Sequence, residues 1–489
     1  MRIATTDPLF PWDKLPDSPD LVSLRFLLES LPDAPLLTAL RAHRGKGRND
    51  YPMHVLWRVH LARYFLRHAS MEACLAELGR NAALRGVVGI EDVRGVPEAW
   101  NMSRFLEVLG QPGHLELLQE LFGQMTRRLG EAVGDLGQHL AGDSAALSAR
   151  KSVPRATPVD DQSKVKDPVL DLPKGQGGST GRVVSLPVLG QSDAAPQLPQ
   201  PAGGRKEYKD DSGKVVKTYE WFGYKFHLLV DIKHEVVVAW HVTSAAGEGS
   251  ADSSVIPLLL EEAQKVLPQG RIKTLAYDKA ADDQKTHEAL AQQEIKPLIQ
   301  IRQMWKDEPE RMLPGHDASS NVVHDEAGTI FCYDKESATP VKRKMSYMGY
   351  EKDRGTLKYR CPARHEGFAC PSDKRCNGDS TYGKTVRVNC DIDLRRFPPI
   401  PRATVEFQRR YKGRTAVERI NARLKVYWGS DDGNVTGAAR FHAHMATILL
   451  VHGAMANWLA VQPRYEGKSL SPTRMSQVAQ RLHKAATAA

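Results

Sequence analysis

Cysteine is scarce in this sequence, with six in 489 residues and five of them after position 330. So sparse and lopsided a set excludes a secreted disulfide scaffold. Long apolar runs are missing too. The longest, near residues 446–456, falls far short of the roughly 20 residues of a membrane helix. His452 interrupts it and Asn457 ends it. The amino terminus, MRIATTDPLFPWDKLPDSPD, carries acids and prolines where a signal peptide carries an apolar stretch. The expectation is a soluble cytoplasmic protein with no membrane partner.

Acidic charge is in deficit: Lys and Arg number 68 against 58 Asp and Glu, a formal charge of +10. That balance favours a polyanionic partner. The excess is also clustered, because Arg402, Arg409, Arg410, Lys412, Arg414, Arg419, Arg423 and Lys425 crowd around Glu418. A carboxylate set in phosphate-attracting charge suits chemistry on a nucleic-acid backbone.

A chain of this length holds two or three domains. Residues 20–130 show apolar recurrence at three and four and read as helical. Short helices with tight breaks over 70–110 suit a helix-turn-helix, with a dimerising bundle as the alternative. A short apolar run then ends at Asp143. Residues 150–205 are rich in Pro, Gly and Ser without periodicity, so a flexible insert is expected, extending to 216. Two strand-like runs flank 231–235 as a hairpin. A helix over 253–267 leads to a strand ending at Asp278, a helix over 284–293 and a strand ending at Arg302. That strand–helix–strand unit implies a parallel crossover, whose ligands bind at the carboxyl ends of the strands. Asp282 and Asp283 read as helix-start residues. Residues 304–395 interrupt the pattern with short strands, and an apolar helix over 438–461 is expected to cover the sheet. His442, His444 and His452 read as helix-face residues.

The most informative stretch is 411–425, YKGRTAVERINARLK. At roughly 100° per residue, Arg414, Glu418 and Lys425 fall at roughly 300°, 340° and 320° from Tyr411. The four polar side chains therefore share one stripe of a helix running from about 404 to 427. A solvated basic face is the plain alternative.

Y-x2-R-x3-E-x6-K over these positions resembles the pattern around the last acid of bacterial insertion-sequence DDE transposases. Further matches are Gly223-Tyr224-Lys225 in the hairpin and Asp278, Lys279 and Asp282 in an Asp-Lys-Gly-Tyr-Asp-like run, where Ala280-Ala281 replaces Gly-Tyr. The helical stretch before 130 also resembles the group's amino-terminal domain. The resemblance implies an α/β fold: an RNase H-like core (a mixed sheet with flanking helices), an all-α amino-terminal domain and a β-rich insertion. The expected division is 1–132 for DNA binding or dimerisation and 133–303 for the first part of the core, with 150–216 as insert. The insertion spans 304–395, the second part of the core 396–465 and a basic tail 466–489.

The resemblance further implies Asp143, Asp278 and Glu418 as catalytic and metal-binding acids. They would hold two Mg2+ ions, replaceable by Mn2+, about 3.5–4 Å apart. Tyr411, Arg414, Lys425, Lys225, Arg302 and Lys279 would bind DNA or support the site. The implied activity is cleavage and 3′-hydroxyl strand transfer at terminal inverted repeats. It would be carried out on double-stranded element and target DNA by a homodimer or larger complex near the nucleoid. Three rivals stand beside it: a hydrolytic nuclease with the same acids, an inactive DNA-binding descendant, and a zinc-stapled scaffold. Cys361, Cys370, Cys376 and Cys390 are the candidate zinc ligands, with His365 between the first two. Their spacing is looser than the usual C-x2–4-C pairs, so reduced thiols are the expectation.

Overall fold

The computed structural model describes residues 18–46, 50–150, 198–209, 214–247, 249–306, 308–316, 320–432, 435–461 and 469–470. Seven α-helices come first among the described residues: α1 (Pro19–Ser30), α2 (Ala34–Arg44), α3 (Met53–Phe65), α4 (Met71–Arg80), α5 (Ala82–Val88), α6 (Ala99–Leu109) and α7 (Pro112–Ala132). Proline occupies the first turn of α1, α2 and α7, where its missing N–H costs nothing. A single residue joins α4 to α5. The Asn81 N–H donates to the Glu77 carbonyl at 2.8 Å, closing α4, and its Oδ1 accepts from the Leu84 N–H at 3.0 Å, opening α5. The stretch read as a helix-turn-helix is thus three short helices, α4, α5 and α6.

A mixed sheet follows. Strand β1 (His139–Ser148) pairs antiparallel with the 17-residue β3 (Val215–Asp231), which pairs antiparallel with β4 (Val237–Ser244). On its other edge β1 lies parallel to β5 (Thr274–Tyr277), and β5 parallel to β6 (Lys296–Ile299). The path β4–β3–β1–β5–β6 is extended by β2 (Ala202–Lys209) along the first half of β3. Two crossover helices, α8 (Asp252–Val266) and α9 (Gln284–Gln292), lead into β5 and β6. Strands β2 and β3 correct the expected insert, since 202–209 pair with 215 and 217–223 in the sheet. Residues 151–197 and 210–213 lie outside the described residues, as do 1–17 and, in the tail, all but Ser469 and Leu470. Leu470 is buried, against Leu129, Val133 and Val236.

Three helices end the described chain: α12 (Val405–Tyr411), α13 (Thr415–Trp428) and α14 (Ala438–Val461), with the shorter α10 and α11 introduced below. The 24-residue α14 is long and apolar enough to cross a membrane by length and composition, well beyond the run read from sequence. Two-thirds of its apolar 18-residue window is nevertheless buried inside the protein. It packs against α7, α6 and α3 as well as β4, so one apolar core runs from the amino-terminal helices through α14 to one face of the sheet. His442, His444 and His452 are all buried there. The Tyr64 hydroxyl meets His444 Nδ1 at 2.6 Å, and His452 Nε2 accepts from the Val237 N–H at 3.3 Å.

Between β6 and α12 stand two small sheets. One has the order β10–β9–β8–β7, from β7 (Glu310–Met312), β8 (Val322–Asp325), β9 (Ile330–Asp334) and β10 (Val341–Lys344). The other is β11 (Ser346–Glu351), β12 (Thr356–Arg360) and β13 (Thr385–Asn389). Two five-residue helices, α10 (Pro362–Glu366) and α11 (Asp373–Asn377), fill the long β12–β13 connection. The insertion has its own small core, including Ile330, Leu357, Val388 and Phe397.

Candidate active site

Register places the first two acids. Leu140 and Ala141 of β1 pair with Leu275 and Ala276 of β5, so two steps further Asp143 stands beside Asp278. Alternation puts both on the face of Ala141, Ala276 and Leu298, the face covered by α12, α13 and α14. Asp278 directly follows β5, as expected. Asp143 departs from expectation: it is the fifth residue of a ten-residue strand, not its last. The parallel neighbour stops at Tyr277 while β1 runs on, so Asp143 borders an edge although its own strand continues. Gly142 makes the approach possible, because a Cβ there would lie 2.0 Å from the Tyr277 ring.

Glu418 comes from the opposite side. It lies in the first turn of α13, whose Ala416, Val417, Ile420 and Leu424 are buried on the sheet face. The single helix expected from 404 to 427 is interrupted, since residues 412–414 form a 3-10 turn between α12 and α13. In such a turn i and i+3 eclipse, so Arg414 stands above Tyr411 rather than about 60° away. Gly413 allows this join to press on the β3–β4 turn, since a Cβ there would lie 2.7 Å from Ile232 Cγ2. Tyr411 stacks on Phe407, with ring centroids 5.6 Å apart.

Arg414 links the two sides. Its Nη2 donates to Glu418 Oε1 at 2.6 Å, and its Nη1 lies 3.7 Å from Asp143 Oδ2. Burial, then the Asp278 and Asp252 carboxylates, push Asp143 up to about 6, against the Ser144 N–H and Arg414. Burial works against the Arg414 charge, but Tyr411, Glu418, Asp143 and Asp278 raise its pKa above the usual value. As placed, no three His, Cys, Asp or Glu side chains among the described residues stand close enough together to hold an ion. The donor set nonetheless fits hard divalent cations: carboxylate oxygens, one of them resisting ionisation, with a guanidinium standing between Asp143 and Glu418 where a cation is called for.

Most of the supporting cations have partners within the chain. Lys225 Nζ lies 3.0 Å from Asp252 Oδ1 and donates to the Ser250 carbonyl. Lys425 Nζ donates to the Ala146 carbonyl at 2.7 Å and to Asp431 at 2.9 Å. Asp431 also accepts from the Ser148 N–H, so this pair ties α13 to the end of β1. Arg302 donates to the Ala280 carbonyl, bracing the turn after Asp278, and Lys279 is exposed on that turn. Of the eight cations counted around Glu418, six (Arg402, Arg410, Arg414, Arg419, Arg423 and Lys425) are paired internally. The basic cluster is therefore less available to phosphate than the sequence suggests.

Three acids escaped sequence reasoning. Asp252, at the start of α8, lies behind Asp143. Burial favours its neutral form, yet His227, Lys225 and Ser144 hold it down to about 2. Glu235, in the β3–β4 turn at φ +52°, receives Arg419 at 2.7 Å and also Arg423, anchoring α13. Asp282 was read as a helix-start residue, but only Asp283 is one, accepting the Thr286 N–H at 2.8 Å. Asp282 is instead wholly buried. It contacts His287, the Arg302 N–H, Arg395 and Arg402, which bolts the exit of the insertion to the loop carrying Asp278. An acid after small residues was the only local sign of Asp252; Glu235 carried none, and Asp282 was marked only as a member of the Asp-Lys-Gly-Tyr-Asp-like run.

The cysteine set changes as well. Cys390 is buried in the insertion's own core. Cys332, which the sequence reading left out, lines one cavity with Cys361, Cys370 and Cys376. His365 faces Arg360 instead.

The chain matches the family model described as "Transposase DDE domain" over residues 194–453, more than half its length. It matches "Transposase domain (DUF772)" over residues 12–107. The chain belongs to the DDE transposases and is an enzyme of that class, acting on DNA with divalent metal ions. With both domains present it is an insertion-sequence transposase. No curated protein matches it. Asp278 and Glu418 fall inside the matched core span and Asp143 precedes it.

Proposed function

We propose that this transposase cleaves DNA at the terminal inverted repeats of its element and joins the freed 3′-hydroxyl to target DNA. Asp143, Asp278 and Glu418 are its catalytic, metal-holding acids. The observation that carries this reading is the Arg414 guanidinium set between Asp143 and Glu418, with Asp278 in register beside Asp143. An antiparallel β4–β3–β1 triplet continued by parallel β5 and β6 supports an RNase H-like core, with acids on the central strand, its parallel neighbour and the covering helix.

Two Mg2+ ions, with Mn2+ as substitute, would supply nucleophile activation and stabilisation of the leaving oxygen. The protein's own residues prepare the ground. Asp143 and Asp278 are fixed by adjacent strands, and Glu418 is carried by a helix anchored at Glu235. Arg414, which here occupies Asp143 and Glu418, would serve the phosphate flanking the cut when those acids hold ions, with Tyr411 beside it against the DNA. Lys225 and Lys425 act as supports through Asp252 and Asp431, while Lys279 and Arg302 present charge to the backbone. Residues 1–132 bind element ends or dimerise, 133–303 and 396–465 form the core around the 304–395 insertion, and 466–489 form a basic tail. The working form is a homodimer or larger complex on cytoplasmic, nucleoid-associated DNA.

Strand transfer of pre-cleaved element-end DNA into a plasmid, with Mg2+, tests the reading. Wild type should join the ends and Glu418→Gln should not, with DNA binding retained. Cleavage without joining would instead identify a nuclease, and equal joining by both proteins would remove Glu418 from the centre.

A further inference from the structure

We propose that the insertion carries a structural zinc site formed by Cys332, Cys361, Cys370 and Cys376. The proposal is independent of the active-site reading. Three short segments deliver the four thiols: Cys332 from the middle of β9, Cys361 from the start of α10, and Cys370 and Cys376 from either side of the turn into α11. They line one cavity of about 20 Å³, a volume suited to a single ion or water.

Two of the four sulfurs face hydrogen-bond donors. Asn321 Nδ2 donates to Cys376 Sγ and Asn377 Nδ2 to Cys361 Sγ, each at 3.5 Å. Both amides are held in that orientation by Lys384. Its Nζ donates to Asn321 Oδ1 at 3.1 Å and its backbone N–H to Asn377 Oδ1 at 2.6 Å. Donors aimed at sulfur and fixed from behind are the outer-shell pattern of metal thiolates. Arg343 lines the same cavity, and its buried Nε lacks a hydrogen-bond partner. The cavity's two carboxylates are engaged elsewhere, Asp334 with Ser337 and Ser372 and Asp373 with Arg364 and Asn377. The ligand set is therefore sulfur only, which selects a soft tetrahedral ion.

The fold supplies a reason for the metal. Residues 361–384, with both five-residue helices, contribute nothing to the insertion's apolar core. Helices of that length do not stand alone, and the segment is organised around its cysteines. All six cysteines of the chain are free thiols. The four around the cavity stand too far apart to ligate one ion as placed, so binding requires side-chain rotation that brings the sulfurs inward. The balanced step is one Zn2+ taken up by four thiols with release of four protons.

The test is metal content and spectroscopy on the full-length protein. Purified without chelator, it should carry one zinc per chain. The zinc should be retained by C390S and by the D143N/D278N/E418Q triple variant, and lost from C332S and C376S. Because those serine variants could misfold, Co2+ exchange into wild type supplies a second readout. Tetrahedral d–d bands with thiolate-to-cobalt charge transfer, absent in C332S and present in C390S, are expected. Zinc below a tenth per chain, no thiolate charge transfer in wild type, or loss of metal from C390S while C332S keeps it would each overturn the assignment, as would iron in place of zinc.

Discussion

Asp143 shows how much a single buried carboxylate reports. Its folded pKa of about 6 lies above the ordinary 3.8, so burial favours the protonated form. Its contribution to stability is full below the unfolded value and is lost as pH rises through about 6. At pH 8 the ionised group costs at most about 3 kcal/mol, from about two units at 1.36 kcal/mol each. Metal-free D143N should therefore melt a few degrees higher than wild type at pH 8 and level with it at pH 4. A difference that persists at pH 4 would mean that charge is not the cause. Beside it, Gly142→Ala drives a methyl into the Tyr277 ring. The expected loss is about 1–3 kcal/mol or more, read by thermal denaturation. The placement of Asp278 after a strand and of Glu418 on a helix was legible in the sequence because both are local patterns. Asp252, Glu235 and Asp282 were not. The partners that define Glu235 lie 184 and 188 residues away, and Arg395 lies 113 residues from Asp282.

At the scale of elements, one acid, Glu235, ties α13 to the β3–β4 turn. Replacing Glu235 with Gln leaves Arg419 and Arg423 without their carboxylate. It should cost about 1–3 kcal/mol in urea unfolding and lower strand transfer while DNA affinity stays near wild type. Equal loss of binding and joining would instead point to a general folding defect. Helix α14 offers a pH test. Burial lowers His442 to about 4, and His444 and His452 to about 3. All three lie below the unfolded 6.5, so their contribution is present above pH 6.5 and lost as pH falls toward 4. The slope approaches about 4 kcal/mol per pH unit when all three titrate together. Urea midpoints should fall steeply from pH 6 to pH 4.5, and His442→Phe should flatten that fall by at most about 1.4 kcal/mol per pH unit. Helix existence was readable from periodicity, but the 3-10 turn at 412–414 was not. There Gly413 lies close against Ile232, a contact that no local pattern encodes.

Across the whole molecule, the amino-terminal helices, α14 and one sheet face share a single core, while the insertion has a small core of its own and its exit is fastened through Asp282. Element order was legible in the sequence because each strand and helix carries its own period. The shared core depends on α14 packing back onto helices more than 300 residues earlier. Asp143 is where the account is most exposed, being the acid that precedes the matched core span and lies closest to a rival, Asp252. The deciding measurement is joining of pre-cleaved element ends by D143N and by D252N, with DNA binding measured in parallel. D143N should bind DNA normally and join it about 1,000-fold more slowly or worse. D252N, whose acid is already paired with Lys225 and in contact with His227, should keep measurable joining. Joining by D143N at the wild-type rate, with D252N inactive, would contradict the three-acid centre proposed for this enzyme.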